Sequence, residues 1–177
     1  TNEFVNHLLS SRFFGFWSFS EPEFNGVELG DALICWSDSA VIVEVKARDS
    51  GGSGDDSRWV RQRLTDAIRQ INARTALLRE GKVAELRNRW RGCLKWLPGD
   101  VLTYLGVVVL NHESDPYDPK KIARPQLAAS TLPIHVVSLY DLFHLLRFVN
   151  TIPDLIVYLE VRHILGDKMP LLVHREA

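Results

Sequence analysis

The run VLTYLGVVVLN, residues 101–111, narrows the folding choices of this chain more than any other stretch. It is apolar and rich in β-branched side chains, which suit a pleated surface. A run of this length fits a central strand covered on both faces. The cover has to come from helices, and the spacing of apolar residues supplies them. Val60, Leu64, Ala67, Ile71 and Leu78 mark one face of a helix over about 58–80, stopped by Gly81. Phe4, Leu8 and Leu9 predict a short helix over 2–11. Ser138 with Asp141 three residues later predicts a capped helix start, and 151–165 reads as a further helix with Pro153 in its first turn.

The remaining strands are shorter. FFGFWSF at 13–19 reads as one. EPEFNGVE reads as a turn or hairpin with Asn25-Gly26 at its tip. DALICWS at 31–37 and AVIVEVKAR at 40–48 form an antiparallel hairpin around Ser37-Asp38-Ser39. LPIHVVS at 132–138 is another strand. The glycine-, serine- and aspartate-rich 49–57 and the proline-containing stretch from His112 are loops, and 97–100 is a turn. Residues 82–91 read as a second basic helical stretch. The order α-β-β-β-α-(α)-β-β-α-α describes one α/β domain on a mixed sheet over 1–177. Its core spans about 1–111, with a C-terminal strand and helices over about 132–177.

Net charge is −1, which selects no partner by itself. Its distribution is uneven. Residues 1–57 hold 3 basic and 10 acidic side chains, whereas 58–95 hold 11 basic and 3 acidic. An acidic segment beside an arginine-rich one suits a site that holds a cation and faces a polyanion. Cys35 and Cys93 are too few and too far apart for a disulfide framework or a zinc site. There is no apolar run of about 18 residues, so no membrane span is expected. TNEFVNHLLSS lacks the pattern of a signal peptide. A reducing, cytoplasmic setting is the expectation.

The apolar strand 40–48 runs straight into Glu44-Val45-Lys46. Side chains alternate along a strand, so Glu44 and Lys46 share a face with Ile42, while Val41, Val43 and Val45 take the other. Charges leave water only at a cost of several kcal/mol each unless they pair or meet a ligand. The hairpin turn brings Asp31 opposite about Glu44 to Lys46. Two carboxylates and an ammonium then converge at the open end of the hairpin. A divalent cation such as Mg²⁺, or Mn²⁺, relieves the repulsion between carboxylates.

This pattern resembles the PD-(D/E)XK nuclease superfamily, with its restriction-endonuclease-like fold. The matching residues are Asp31 and Glu44-Val45-Lys46, set in an αβββαβ order over residues 1–111. The resemblance implies metal ligation by Asp31, Glu44 and the Val45 backbone carbonyl, with Lys46 as a catalytic cation. It also implies a polar residue on the helix after the third strand, matched by Gln70, and an acid on the first helix, weakly matched by Glu3. Glu28, three residues before Asp31, is a further weak candidate. Gly30 stands where the family's motif has proline. The activity implied is metal-dependent endonucleolytic hydrolysis of DNA in restriction, repair or defence. Arg58, Arg61 and Arg69 are the expected nucleic-acid contacts, since arginine is favoured where phosphates are held. The alternative is a catalytically inactive nuclease-like module that binds nucleic acid or a protein partner. A homodimer through the apolar C-terminal helices is a further expectation.

Overall fold

Tyr104 to Leu110 are buried without interruption, as a strand inside a sheet requires. In the computed structural model, which describes residues 14–20, 22–24, 27–48, 56–88, 90–111, 127 and 130–165, this run is an interior strand of the largest sheet. Five strands form that sheet in the order β1 (Ser18–Ser20), β4 (Ala32–Trp36), β5 (Ser39–Ala47), β8 (Thr103–Asn111) and β9 (Ile134–Ser138). β1, β4 and β5 run antiparallel to their neighbours, whereas β5, β8 and β9 are parallel. The class is therefore mixed α/β. β2 (Glu23–Phe24) and β3 (Val27–Glu28) form the small ribbon expected around Asn25-Gly26. The tip itself, the expected helix 2–11 with Glu3, residues 49–55 and residues 112–125 lie outside the described residues.

The crossover between parallel β5 and β8 carries helix α1 (Asp56–Arg79), close to the expected 58–80. Its apolar face packs on the sheet with Ile42, Val108 and Leu110. Close approach needs Gly106 on β8, because a Cβ there would lie 2.9 Å from the Ile134 side chain and 3.1 Å from that of Ile71. The opposite face of the sheet, with Val41, Val43, Val45 and Val109, is covered by α2 (Leu139–Phe148) and α3 (Ile152–Leu165). Ser138 caps α2 with the expected box: its hydroxyl accepts from the Asp141 N–H, and the Asp141 carboxylate accepts from the Ser138 N–H. Tyr140, Phe148, Val157, Val161 and Ile164 remain exposed on these two helices. No helix among the described residues is long and apolar enough to cross a membrane.

Two sequence expectations are corrected. Residues 82–91 are not helical: β6 (Glu85–Asn88) and β7 (Gly92–Lys95) form an antiparallel hairpin. Burial alternates along β6, with Leu86 and Asn88 inward, the period of a strand. Asn88 organises the hairpin. Its Oδ1 accepts from the N–H groups of Trp90 (2.7 Å) and Arg91 (3.1 Å), and its Nδ2 donates to the carbonyls of Gly15 and Ser18. The aromatic run 13–19 is also not one strand. Phe14 to Trp17 form a turn, closed by the Trp17 N–H donating to the Phe14 carbonyl at 3.0 Å, and β1 starts only at Ser18. Trp17 then stacks edge-on against Trp36, with Arg91 over its ring. Cys35 is a buried apolar residue whose thiol pKa burial pushes up to about 12.

Candidate functional site

The candidate site exists because β4 is shorter than β5. β4 begins at Ala32, paired with Val43, and β5 runs on through Glu44, Val45 and Lys46 with no β4 partner. The register places Asp31 opposite Glu44. Asp31 still follows the strand line, since its N–H donates to the Val43 carbonyl at 3.1 Å. Its carboxylate then takes the place of the missing strand, with Oδ2 accepting the Val45 N–H at 2.6 Å. N–H and C=O of one strand residue point to the same side, so the Val45 carbonyl also faces this open edge.

Gly30 makes the arrangement possible. Its φ is +133°, and a Cβ would lie 3.1 Å from the Val43 carbonyl oxygen and 3.2 Å from that of Ala32. Proline, fixed near φ −65°, cannot adopt this backbone. The departure at the position before Asp31 thus has a local conformational cause.

Alternation puts Glu44 and Lys46 on the α1 face. Glu44 is 2% exposed and Asp31 9%. The Lys46 ammonium lies 2.9 Å from Glu44 Oε2 and donates to Gln70 Oε1 at 2.8 Å. Burial pushes the Lys46 pKa down; Asp31, Asp66 and Glu28 pull it back up, and Arg63 adds to the fall. Gln70 is therefore brought to the site, as is Glu28 at its rim.

One participant has no counterpart in the sequence reading. Arg74, one helical turn after Gln70, reaches the other oxygen of Glu44, pairing Nη1 with Oε1. Its Nε donates to the Glu28 carbonyl at 2.9 Å, and its Nη2 lies 3.8 Å from Glu28 Oε2. The Arg74 contact covers Oε1, so each oxygen of buried Glu44 faces a cation. The available signal was spacing: a residue four after a candidate on a helix shares its face.

The arginines nominated for nucleic acid lie elsewhere. At about 100° per residue, Arg58, Arg61 and Arg69 are turned roughly 100–180° round α1 from Gln70. All three are exposed, Arg69 lying 3.6 Å from the Asp66 carboxylate and Arg61 bonding the Ser57 carbonyl. Arg58 and Arg61 line an open depression with Gln62, Thr65 and Asp66. The arginines that bear on the site are Arg74, paired with Glu44, and Arg63, whose charge helps lower the Lys46 pKa.

No family model matches the chain, and no curated protein or solved structure matches it either. Any functional reading rests on the geometry and the motif. Among the described residues no group of three or more His, Cys, Asp or Glu side chains is placed to hold a metal. A donor set here consists of two carboxylates and a backbone carbonyl. These are hard oxygens of the kind magnesium takes, one or two carboxylates at a time.

Proposed function

We propose that the chain is a metal-dependent endonuclease of restriction-endonuclease-like fold that hydrolyses phosphodiester bonds of DNA. The carrying observation is the convergence of Asp31, Glu44 and Lys46 at the end of the β4–β5 hairpin, with Gln70 on the lysine. Asp31, Glu44 and the Val45 carbonyl would hold Mg²⁺ or Mn²⁺. Such an ion supplies Lewis-acid polarisation of a phosphate oxygen and a more acidic water.

The protein's own groups do the rest. Asp31 accepts the Val45 N–H and so holds the unpaired end of β5 extended, with the Val45 carbonyl on the same side as that N–H. Glu44 Oε2 and Gln70 Oε1 aim the Lys46 ammonium, a fixed positive charge where negative charge grows on the reacting phosphate. Arg63, exposed two turns before Gln70 on the same side of α1, would meet a backbone phosphate near the site, with Arg58, Arg61 and Arg69 reaching only phosphates farther along, and binding would weaken steeply as salt rises.

One observation favours the second reading, a nuclease-like module that binds without cutting. Arg74 already neutralises the Glu44 oxygen that a cation would need. Incubation of plasmid and single-stranded DNA with Mg²⁺ or Mn²⁺, with EDTA as control, separates the two. Cation-dependent cleavage, abolished in folded Asp31→Ala and Lys46→Ala proteins, is the expected result. Cleavage in EDTA, or full activity of Lys46→Ala, sinks the nuclease reading; retention of DNA without cutting selects the module.

A further inference from the structure

Glu44 carries one negative charge and faces two cations, Lys46 on Oε2 and Arg74 on Oε1. A divalent ion that takes this carboxylate as a ligand needs an oxygen that one of them covers. Lys46 is the poorer candidate to leave. It sits two residues along the same strand and is also held by Gln70. Arg74 arrives on a long side chain from α1 and already has a foothold on Glu28. Its Nε is on the Glu28 carbonyl, and its Nη2 is 3.8 Å from a Glu28 carboxylate that is 51% exposed.

We propose that Arg74 is a displaceable counter-ion: it neutralises buried Glu44 in the cation-free protein and withdraws to the Glu28 carboxylate when a divalent cation binds. The inference rests on the metal-site reading given above. Its logic is that of a buried carboxylate, which is strongly destabilising if left without a partner. Arg74 keeps the site folded before the cation arrives. Each positive group opposes the other, and the coupling is reciprocal. Glu28, a residue with no direct place at Glu44, thereby helps set cation affinity.

The test is Mn²⁺ binding followed by electron paramagnetic resonance of the free ion, with thermal unfolding in EDTA alongside. Arg74→Met is expected to bind Mn²⁺ about tenfold more tightly than wild type. In EDTA it should melt below wild type, and Mn²⁺ should recover the loss. Glu28→Gln is expected to bind several-fold more weakly, about fivefold. In the Arg74→Met background the same Glu28→Gln change should have no effect. That non-additivity separates a refuge for Arg74 from a simple field effect of the Glu28 charge.

Unchanged or weaker Mn²⁺ binding by folded Arg74→Met overturns the inference while leaving the metal site standing. Equal weakening by Glu28→Gln in both backgrounds overturns it too. Absence of Mn²⁺ binding by wild type removes the metal reading and this inference together. Should Arg74→Met not fold, Arg74→Lys takes its place. It keeps the charge but loses reach and the Nε bond, and tighter binding by a smaller factor is then expected; binding no tighter than wild type overturns the inference.

Discussion

The Lys46 ammonium and the Gln70 amide meet at 2.8 Å, joining a strand of the sheet to the helix that crosses it. Lys46 is 16% exposed and also bonds Glu44 Oε2 at 2.9 Å. Gln70→Leu leaves the charge but frees its direction. A hydrogen bond to a charged group is worth about 1.5–3 kcal/mol, and roughly 1.4 kcal/mol is tenfold in rate. On the endonuclease reading proposed above, cleavage by Gln70→Leu is expected to fall about tenfold in kcat, with KM changed far less. Steady-state kinetics on a short duplex checks this, and an equal rise in KM with constant kcat would assign Gln70 to substrate binding instead.

Gly30→Ala tests how Asp31 is held. A side chain at φ +133° is strained, and its Cβ presses on two carbonyl oxygens. Such backbone strain costs about 1–3 kcal/mol, or roughly 2–12 °C in Tm for a chain of this size. On the proposed metal-site reading the same change should weaken Mn²⁺ binding, because Asp31 loses its position against the Val45 N–H. A lowered Tm with unaltered Mn²⁺ affinity would separate the turn from the site.

His135 on β9 is buried, and its Nε2 has no hydrogen-bond partner among the described residues. Burial pushes its pKa down from 6.5 to about 3, and Arg162 and His163 of α3 add to the fall. Between those values the unfolded chain binds a proton that the folded protein refuses. Stability therefore falls as pH drops from about 6.5 toward 3, and this loss is absent above 6.5. His135→Leu removes it. At pH 5 the variant is expected to gain on the order of 2 kcal/mol over its own difference from wild type at pH 8. Thermal melts of both proteins at the two pH values give the comparison.

Much of the fold was legible because periodicity and burial agree. The apolar runs at 40–48 and 101–111, the five marked positions on α1 and the Ser138 cap all report features that the backbone itself dictates. The hairpin placed Asp31 opposite about Glu44 to Lys46; the two-residue turn Ser37-Asp38, with Ser39 paired to Trp36, narrows this to Glu44. The β6–β7 hairpin was not legible. Its basic side chains hid a short alternation of two inward positions, Leu86 and Asn88, and its shape depends on Asn88 reaching Gly15 and Ser18, some seventy residues away. Arg74 was missed because it reads as one more arginine in a basic helix. Only the tertiary placement of Glu28 and Glu44 distinguishes it from Arg69, which points to solvent.

The mismatch in length between β4 and β5 carries a wider consequence. Wherever a sheet leaves a strand half-zipped, its peptide groups stay available to something other than a neighbouring chain. Here one carboxylate plugs part of that gap, and among the described residues no strand continues the ladder beside it. Extending β4 by two residues ahead of Ala32 would knit the seam shut. The tertiary architecture would survive such a repair, while the chemistry proposed for it would have nowhere left to happen.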